Sequence, residues 1–210
     1  MSEVTITIGD MWLASRLAGG SVGMMRRLAN VLGIDDAPHG RDRRRVPIVG
    51  VVTARDRMDG LLIGHVQRDG RNATDRIAAL LRQSPFDRHV QAVLLQGLTF
   101  GGFNVVDLPR LHTILARPVM VVVRRRPDLK RIEHALREAV PGGRRKWTLV
   151  EHAGEVEPMG DLFVQRAGLS RGEARLLLEA TTRHGKLPEA LRLAHLIGAA
   201  LVTGRSHGSA

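Results

Sequence analysis

The stretch LANVLGIDDAPHG, residues 28–40, contains an apolar run that ends in two adjacent acidic residues. The run covers residues 28–34, Asp35 and Asp36 close it, and a proline and a glycine follow shortly after. This order predicts a buried strand that ends in a turn. Because successive side chains of a strand point to opposite faces, one carboxylate at most can face a given site. Two acids after a buried strand cost free energy unless something binds them, which makes Asp35 a candidate functional residue.

The rest of the chain adds further strands and then alternating helices. Two apolar runs, residues 90–95 and 118–123, lack alternation, as is typical of central strands buried on both faces. Other strands are predicted over residues 46–53, 61–66, 147–151 and 162–165, with a hairpin turn at 58–60. Helices are predicted over residues 75–83, 105–116, 128–140, 170–182 and 189–202, with Thr74, Asp128 and Ser170 as caps and Pro188 in a first turn. We expect an α/β fold, a mixed β-sheet flanked by helices in a single domain.

Composition narrows the class of protein. The chain has 210 residues, 43% of them hydrophobic, and no cysteine, which excludes disulfides and cysteine-ligated zinc. It contains neither a long apolar span nor a secretory signal pattern, so we expect a cytoplasmic protein with no membrane contact. We expect residues 1–26 to form an N-terminal extension, which a start codon assigned too early would explain. Residues 27–203 then form the domain, and residues 204–210 a loose tail.

The charge points to a polyanionic partner. The formal net charge is +11 with a pI of about 11.5, and nearly all the basic residues are arginines. Nucleic acid is the obvious partner for such a chain. The alternative is a general enrichment in arginine on ordinary solvated faces. Three clusters at element junctions favour phosphate contact: Arg41 with Arg43, Arg44 and Arg45; Arg124 with Arg125 and Arg126; and Arg144 with Arg145 and Lys146.

Polar side chains at strand ends and helix starts suggest a metal site. Gln96 follows a central strand, Asp75 lies at the start of the first predicted helix, and Asp107 lies at the start of the second. If the strands that end at Asp35 and Gln96 are neighbours, these oxygen donors converge. Such donors bind Mg²⁺ or Mn²⁺, and two such ions can clamp a phosphodiester and activate water. The alternative is that the aspartates are ordinary cap and turn residues.

The last predicted helix contributes two more candidates. Arg192 and His195 are three residues apart and share one helix face. The histidine can reach metal-bound water or a phosphate, and the arginine can neutralise the same phosphate. A half-buried histidine on an amphipathic helix is the simpler interpretation.

The segment GLTFGGFNVVD, residues 97–107, is both glycine-rich and aromatic in a chain with only four phenylalanines. Gly101 and Gly102 allow close backbone approach to a phosphate or a base. Phe100 and Phe103 offer stacking surface, and Asn104, which follows them, is a further candidate for nucleic-acid contact. The alternative is that both rings anchor the loop to the core.

Four ordered motifs resemble one family: VLGIDDAPHG (31–40), GLTFGGFNVVD (97–107), VVVRRRPDL (121–129) and KLPEALRLAHLI (186–197). Together they resemble the archaeal endonuclease dU family, relatives of endonuclease V within the ribonuclease H-like superfamily. The resemblance covers about residues 27–203. It implies a ribonuclease H-like fold and a metal-dependent endonuclease acting on deaminated bases, deoxyuridine or deoxyinosine, in DNA repair.

Matched by position, the resemblance implies roles for single residues. Asp35 matches the first-strand aspartate that binds the catalytic metal, and His195 matches the terminal-helix histidine that supports it. Asp75 is the nearest match to a further acidic ligand, with Asp69 as the alternative. Apart from the resemblance, the basic clusters and the helix face shared with His195 make Arg124, Arg125 and Arg192 candidates for contact with the nucleic acid.

The sequence departs from endonuclease V at two places. Gln96 stands where endonuclease V has an aspartate ligand, so that Asp107 or Asp36 must compensate or metal affinity falls. The region 67–74 lacks the proline and tyrosine of the endonuclease V wedge, and base extrusion normally needs an apolar partner. The alternatives are therefore a nucleic-acid-binding protein with weak or lost catalysis and an RNA-directed endonuclease.

Overall fold

The computed structural model describes residues 30–40, 42–55 and 57–206, so that the predicted extension and the end of the predicted tail lie outside the described residues. Its strands are β1 (Asn30–Asp36), β2 (Arg45–Ala54), β3 (Arg57–Gln67), β4 (Ala92–Gln96), β5 (Thr99–Phe100), β6 (Asn104–Val105), β7 (Val119–Val123), β8 (Glu157–Met159) and β9 (Leu162–Ala167). Its helices are α1 (Ala73–Arg82), α2 (Leu108–Leu115), α3 (Leu129–Ala139), α4 (Gly143–His152), α5 (Arg171–Thr181) and α6 (Glu189–Thr203). None of these helices is long and apolar enough to cross a membrane.

A mixed sheet organises the domain. Its strand order is β3-β2-β1-β4-β7-β9-β8, and β5 and β6 form a separate small hairpin. The parallel centre consists of β1, β4 and β7, and the outer pairings are antiparallel. The apolar runs predicted to be central strands are β4 and β7, in agreement with their burial on both faces. The carboxyl ends of β1, β4 and β7 therefore lie along one edge of the sheet.

Helices cover both faces of the sheet. On one face α1 and α2 bury Ile77, Leu81 and Leu111 against a large apolar core. On the other face α5 and α6 bury residues such as Leu177 and Leu191 against β1, β4 and β7. The caps predicted for α3 and α5 are present. The carboxylate of Asp128 accepts the backbone N–H of Arg131, and Ser170 forms a reciprocal capping box with Glu173.

Several predicted elements differ from the structure. The predicted strand over residues 147–151 is wrong, because these residues belong to α4. Gly142, with φ of 70°, occupies the N-cap position of α4, which packs back on Leu136 of α3 and buries Val150. A short apolar run does not distinguish a strand from a buried helical segment. The structure adds β8, which the sequence did not indicate.

The turn predicted at residues 58–60 is also wrong, because β3 already begins at Arg57 and the hairpin turns at Arg55, with φ of 59°. Gly60 instead makes room for the ring of Phe86, which a Cβ would approach to 2.2 Å. Glycine there serves packing between a strand and the segment after α1.

Two helix starts differ as well. Asn72, not Thr74, occupies the N-cap position of α1. The hydroxyl of Thr74 accepts the backbone N–H of Asp107 at 3.0 Å. Helix α2 begins at Leu108, three residues later than predicted, because the two residues of β6 pair with β5 and Asp107 caps the helix.

Candidate functional site

The centre of the candidate site is a hydrogen-bonded pair at the carboxyl end of β1. Nδ1 of His195 lies 2.8 Å from Oδ2 of Asp35. The other oxygen of Asp35 accepts the backbone N–H of Asp36 at 2.9 Å. The aspartate side chain is only 7% exposed, whereas that of His195 is 37% exposed. The pair thus combines a shielded carboxylate with an imidazole that reaches the surface.

Local sequence explains why α6 delivers His195 to this point. A Cβ on Gly33 would lie 2.5 Å from the carbonyl carbon of Ala190, so β1 and the first turn of α6 touch backbone to backbone. Leu191 and Ala194 are fully buried on the sheet side of the helix. His195 follows at the border of that face. Glycine two residues before Asp35 therefore allows the close approach that joins the pair.

Electrostatics favour a charged imidazole. The hydrogen bond to Asp35 raises the pKa of His195, which burial and the nearby Arg124 lower in part. Burial raises the pKa of Asp36, and the negative charge of Asp35 adds to this rise. The hydrogen bond from the backbone N–H of Gly101 lowers the pKa in part. An imidazole that uses Nδ1 for a carboxylate presents Nε2 to a substrate.

Gln96 lies beside Asp35. The parallel register pairs Ile34 with Leu95, so Asp35 and Gln96 are the next residues on β1 and β4 and point to the same face. Oε1 of Gln96 is buried and has no hydrogen-bond partner among the described residues. A buried carbonyl oxygen without a partner costs free energy, and it needs an explanation such as a bound ion or water.

The donors present are compatible with a hard cation. Within the part of the chain that the structure describes, no group of three or more His, Asp or Glu side chains could by itself hold a metal ion. Mg²⁺, however, is usually bound by one or two carboxylates while water and substrate phosphates complete its shell. Asp35 and the partnerless oxygen of Gln96 offer one charged and one neutral oxygen donor, which fits an ion of that kind.

The other predicted metal ligands are not brought to this pair. Asp75 lies on α1 and pairs with Arg110 at 2.6 Å, with both side chains about half exposed. Asp107 caps α2 by accepting the backbone N–H of Arg110 at 3.0 Å. Both helices pack on the face of the sheet opposite to α6. The convergence expected from the sequence is therefore confined to Asp35, Gln96 and His195.

The glycine-rich loop is fixed by two carboxylates. Asp36 accepts the backbone N–H of Gly101 at 2.8 Å, and Asp69 accepts that of Phe103 at 2.8 Å. A Cβ on Gly102 would lie 2.4 Å from Oδ1 of Asp69, so glycine is needed for this contact. The loop therefore uses its glycines, which have φ of 59° and 85°, to hold its own fold beside the site.

The remaining loop residues have contacts of their own. Phe100 is fully buried, so its ring anchors the loop and offers no stacking surface in this conformation, whereas Phe103 is half-buried. Asn104 is also fully buried, and it accepts the backbone N–H of Ala73 at 3.0 Å and donates to the carbonyl of Gln67 at 2.9 Å. It joins the loop to the start of α1.

The predicted arginines have different surroundings. Arg192 forms a two-contact ion pair with the buried Glu189 on α6, at 2.8 and 2.5 Å. That pair lowers the pKa of Glu189. Arg124 and Arg125 are exposed and follow β7 at the same sheet edge as the Asp35–His195 pair. They line an open basic cavity with residues from elsewhere in the chain.

An apolar cavity of about 180 Å³ opens at the carboxyl end of β4, and residues of α3 and α4 contribute to its lining. It lies on the sheet face opposite to the side chain of Gln96, because Val121 in its lining belongs to the apolar core on the α1 and α2 side. Its lining includes Gly97, Thr99, Val121 and Phe163. The sequence did not indicate this cavity, because its walls come from distant segments and each looks like ordinary core. Lys146, which the sequence placed in a cluster favouring phosphate contact, is buried instead. Its ammonium donates to the backbone carbonyl of Asp69 at 2.6 Å, and Asp69 holds the glycine-rich loop.

Comparisons with known proteins identify a family and agree with this fold. A family model described as Endonuclease dU matches residues 27–202. A UPF0215 protein of Deinococcus radiodurans is 49% identical over 183 residues, which cover 87% of this chain and 93% of that protein. A crystal structure of a protein of unknown function from Archaeoglobus fulgidus matches with a TM-score of 0.78 at 36% identity, over 82% of this chain and 98% of that one.

A more distant structure confirms the predicted ribonuclease H-like fold. Endonuclease V of Ciona intestinalis, in complex with a 24mer DNA containing an inosine followed by a ribo-adenosine, has a TM-score of 0.51 at 13% identity. The match covers 79% of this chain and 82% of that one, and at this identity it concerns the fold alone. Family and fold together support a nuclease that binds nucleic acid. Since the family model spans nearly all the described residues, the chain belongs to the endonuclease dU family.

Proposed function

We propose that this protein is a divalent-metal-dependent endonuclease that cuts DNA near a deaminated base, deoxyuridine or deoxyinosine, in DNA repair. The observation that carries the proposal is the shielded Asp35–His195 pair beside the buried, partnerless oxygen of Gln96. A carboxylate, an unsatisfied carbonyl oxygen and an imidazole at one sheet edge provide the groups that phosphodiester hydrolysis needs. The basic surface supplies the affinity for the backbone.

Each residue has a definite task. Asp35 and Gln96 would hold Mg²⁺ or Mn²⁺, which when bound polarises the phosphoryl oxygen and lowers the pKa of bound water. His195 uses Nδ1 to orient Asp35 and turns Nε2 toward a phosphate oxygen or the attacking water. Arg124 neutralises charge on the phosphate. Asp75 is the candidate for a third oxygen donor, and its recruitment requires the ion pair with Arg110 to open.

The apolar cavity supports recognition of an extruded base. Its volume of about 180 Å³ and its largely aliphatic lining suit a flat, uncharged ring. Phe163 lines it and is partly exposed, so it can provide the apolar partner that Phe100, fully buried, does not. Phe103 is half-buried and remains a candidate for contact with a neighbouring base.

The test is a cleavage assay on labelled duplexes that carry one deoxyuridine, one deoxyinosine or no lesion, with Mg²⁺, Mn²⁺ or EDTA. We expect metal-dependent nicking near one lesion, and loss of about 100-fold or more of the rate in Asp35→Asn. Glu138→Gln, at an exposed acid on α3 that is not among the site residues, removes the same charge and should cut normally. Equal nicking by wild type and Asp35→Asn would refute the assignment.

A second candidate function is a nucleic-acid-binding protein with lost catalysis. It is favoured by the absence, among the described residues, of three clustered acidic or histidine ligands. Salt-sensitive binding without any metal-dependent cut would support it. Oligonucleotides of the same sequence with a ribonucleotide at the lesion separate an RNA-directed enzyme from a DNA repair enzyme.

A further inference from the structure

A basic cavity lies beside the candidate site and shares Arg124 with it. Its volume is about 540 Å³, and Arg124, Arg125, Asp161 and Lys186 line it. The arginines follow β7, Asp161 lies in the turn between β8 and β9, and Lys186 lies in the loop that leads into α6. Three separate segments thus bring three cations and one carboxylate together.

The acid and the lysine of this cavity form an exposed ion pair. Nζ of Lys186 lies 2.9 Å from Oδ2 of Asp161, and the two side chains are 65% and 68% exposed. An ion pair with this exposure contributes little stability, so it opens easily for a competing anion. The positive charge of Arg124 reaches the candidate site, since it lowers the pKa of His195. A strand with one phosphate at His195 therefore passes close to the cavity.

We propose that this cavity binds a second backbone phosphodiester of the nucleic-acid strand. Lys186 is a ligand of that phosphate, and it pairs with Asp161 until the strand binds. The inference rests on the proposed function and adds to it a backbone contact away from the scissile phosphate. A phosphate oxygen takes the place of the Asp161 carboxylate on Lys186, and the neighbouring arginines share its charge. Asp161 thereby weakens binding, because the strand must displace it.

The proposal predicts opposite effects of two substitutions in one ion pair. Lys186→Ala removes a phosphate ligand, so it should weaken DNA affinity about 3- to 10-fold at 50 mM salt and reduce the slope of log K against log salt by about 0.7–0.9. Asp161→Asn removes the competitor, so it should strengthen affinity about 2- to 5-fold. In the double variant the gain from Asp161→Asn should disappear, because the lysine that it frees is gone. Lys186→Arg should retain most of the affinity.

The control is a matched ion pair on α5. Arg175 and Glu179 lie 2.8 Å apart with side chains 74% and 53% exposed. Arg175→Ala and Glu179→Gln change the net charge by the same amounts as the two test substitutions. They should leave the salt slope unchanged and affect affinity less than the test substitutions do.

The measurement is fluorescence anisotropy of a labelled oligonucleotide with the full chain in EDTA, from 50 to 200 mM KCl. If the wild type binds DNA and the test variants behave like their controls, the second phosphate site is wrong and the proposed function still stands. No binding by the wild type at 50 mM salt would overturn both.

A second measurement adds inorganic phosphate at constant ionic strength. If about 1 mM abolishes the difference between wild type and Lys186→Ala, free phosphate displaces the strand from the cavity, and free phosphate in place of the strand is its preferred ligand.

Discussion

At the scale of single residues, the site depends on two side chains whose polar atoms are buried. Asp35 satisfies its oxygens through His195 and the backbone N–H of Asp36, whereas Oε1 of Gln96 has no partner among the described residues. An amide oxygen contributes a dipole to a cation where a carboxylate contributes a full charge. In the proposed metal site, we therefore expect Gln96 to set how tightly this edge of the sheet would hold a divalent ion.

Gln96→Asp should raise affinity for Mg²⁺ about 10-fold, because a second carboxylate beside Asp35 attracts a cation more strongly. Without metal the two adjacent carboxylates repel, so the melting temperature should fall below that of wild type. Added Mg²⁺ should then raise it more than in wild type. Differential scanning fluorimetry with and without Mg²⁺ measures both effects, independently of cleavage.

The control is Gln91→Glu, which adds the same charge just before the opposite end of β4. It should not change the response of the melting temperature to Mg²⁺. Equal responses in wild type, Gln91→Glu and Gln96→Asp would show that Gln96 does not contact the ion.

At the scale of elements, the contact between β1 and α6 decides whether the site exists. Gly33→Ala places a methyl group 2.5 to 2.7 Å from backbone atoms of Ala190 and Leu191, which cannot move without shifting the helix. Such overpacking should cost about 1–3 kcal/mol of unfolding free energy and weaken the Asp35–His195 contact. Urea unfolding measures the first effect, and the shift of the His195 ring resonances in NMR spectra reports the second.

Gly172 is the matched control for this prediction. It lies in α5, and a Cβ there would meet nothing within 4 Å. Gly172→Ala should therefore stabilise the protein by about 0.5–1 kcal/mol, through helix propensity. A neutral Gly33→Ala variant would mean that α6 approaches β1 less closely than described.

Lys146 of α4 donates to the backbone carbonyl of Asp69, whose side chain holds the glycine-rich loop, and the burial of this lysine makes stability depend on pH. Burial lowers the pKa of Lys146, so the unfolded chain holds that proton more tightly than the folded one. Stability should therefore rise as pH increases from the lowered pKa toward the ordinary value near 10.5. The stability of wild type relative to Lys146→Met should increase between pH 7 and pH 10 in urea unfolding. A constant difference would contradict a buried, charged lysine.

At the scale of the whole molecule, charge and shape divide the work of recognition. The net charge of +11 attracts any polynucleotide, whereas in our proposal the apolar cavity after β4 distinguishes one base from another. Binding to undamaged and lesion-containing DNA should therefore show the same steep salt dependence, with affinity falling roughly tenfold or more from 50 to 200 mM KCl. Anisotropy titrations of both duplexes measure the slopes. If the slopes of log K against log salt for the two duplexes differ by more than about one, the lesion changes the number of backbone phosphates that the protein contacts, which contradicts this prediction.

Much of the fold followed from sequence because local patterns were unambiguous. The apolar runs of β4 and β7 and the caps Asp128 and Ser170 act over a few residues. The structure differed where a pattern was short or where a residue had a tertiary purpose. The run within α4 was too short to define its period, and Gly60 accommodates the ring of Phe86 instead of forming a turn.

The sequence by itself determined the strand that ends in Asp35, the helix that carries His195, the excess of positive charge and the resemblance that the family match confirms. These properties are local or compositional, or lie in ordered motifs. Only the tertiary structure decided which polar groups meet. It joined Asp35 to His195 across 160 positions of sequence, placed Asp75 and Asp107 on helices of the opposite layer, and assembled two cavities from distant segments. Contacts of this kind depend on how strands and helices pack, and a linear pattern does not carry that information.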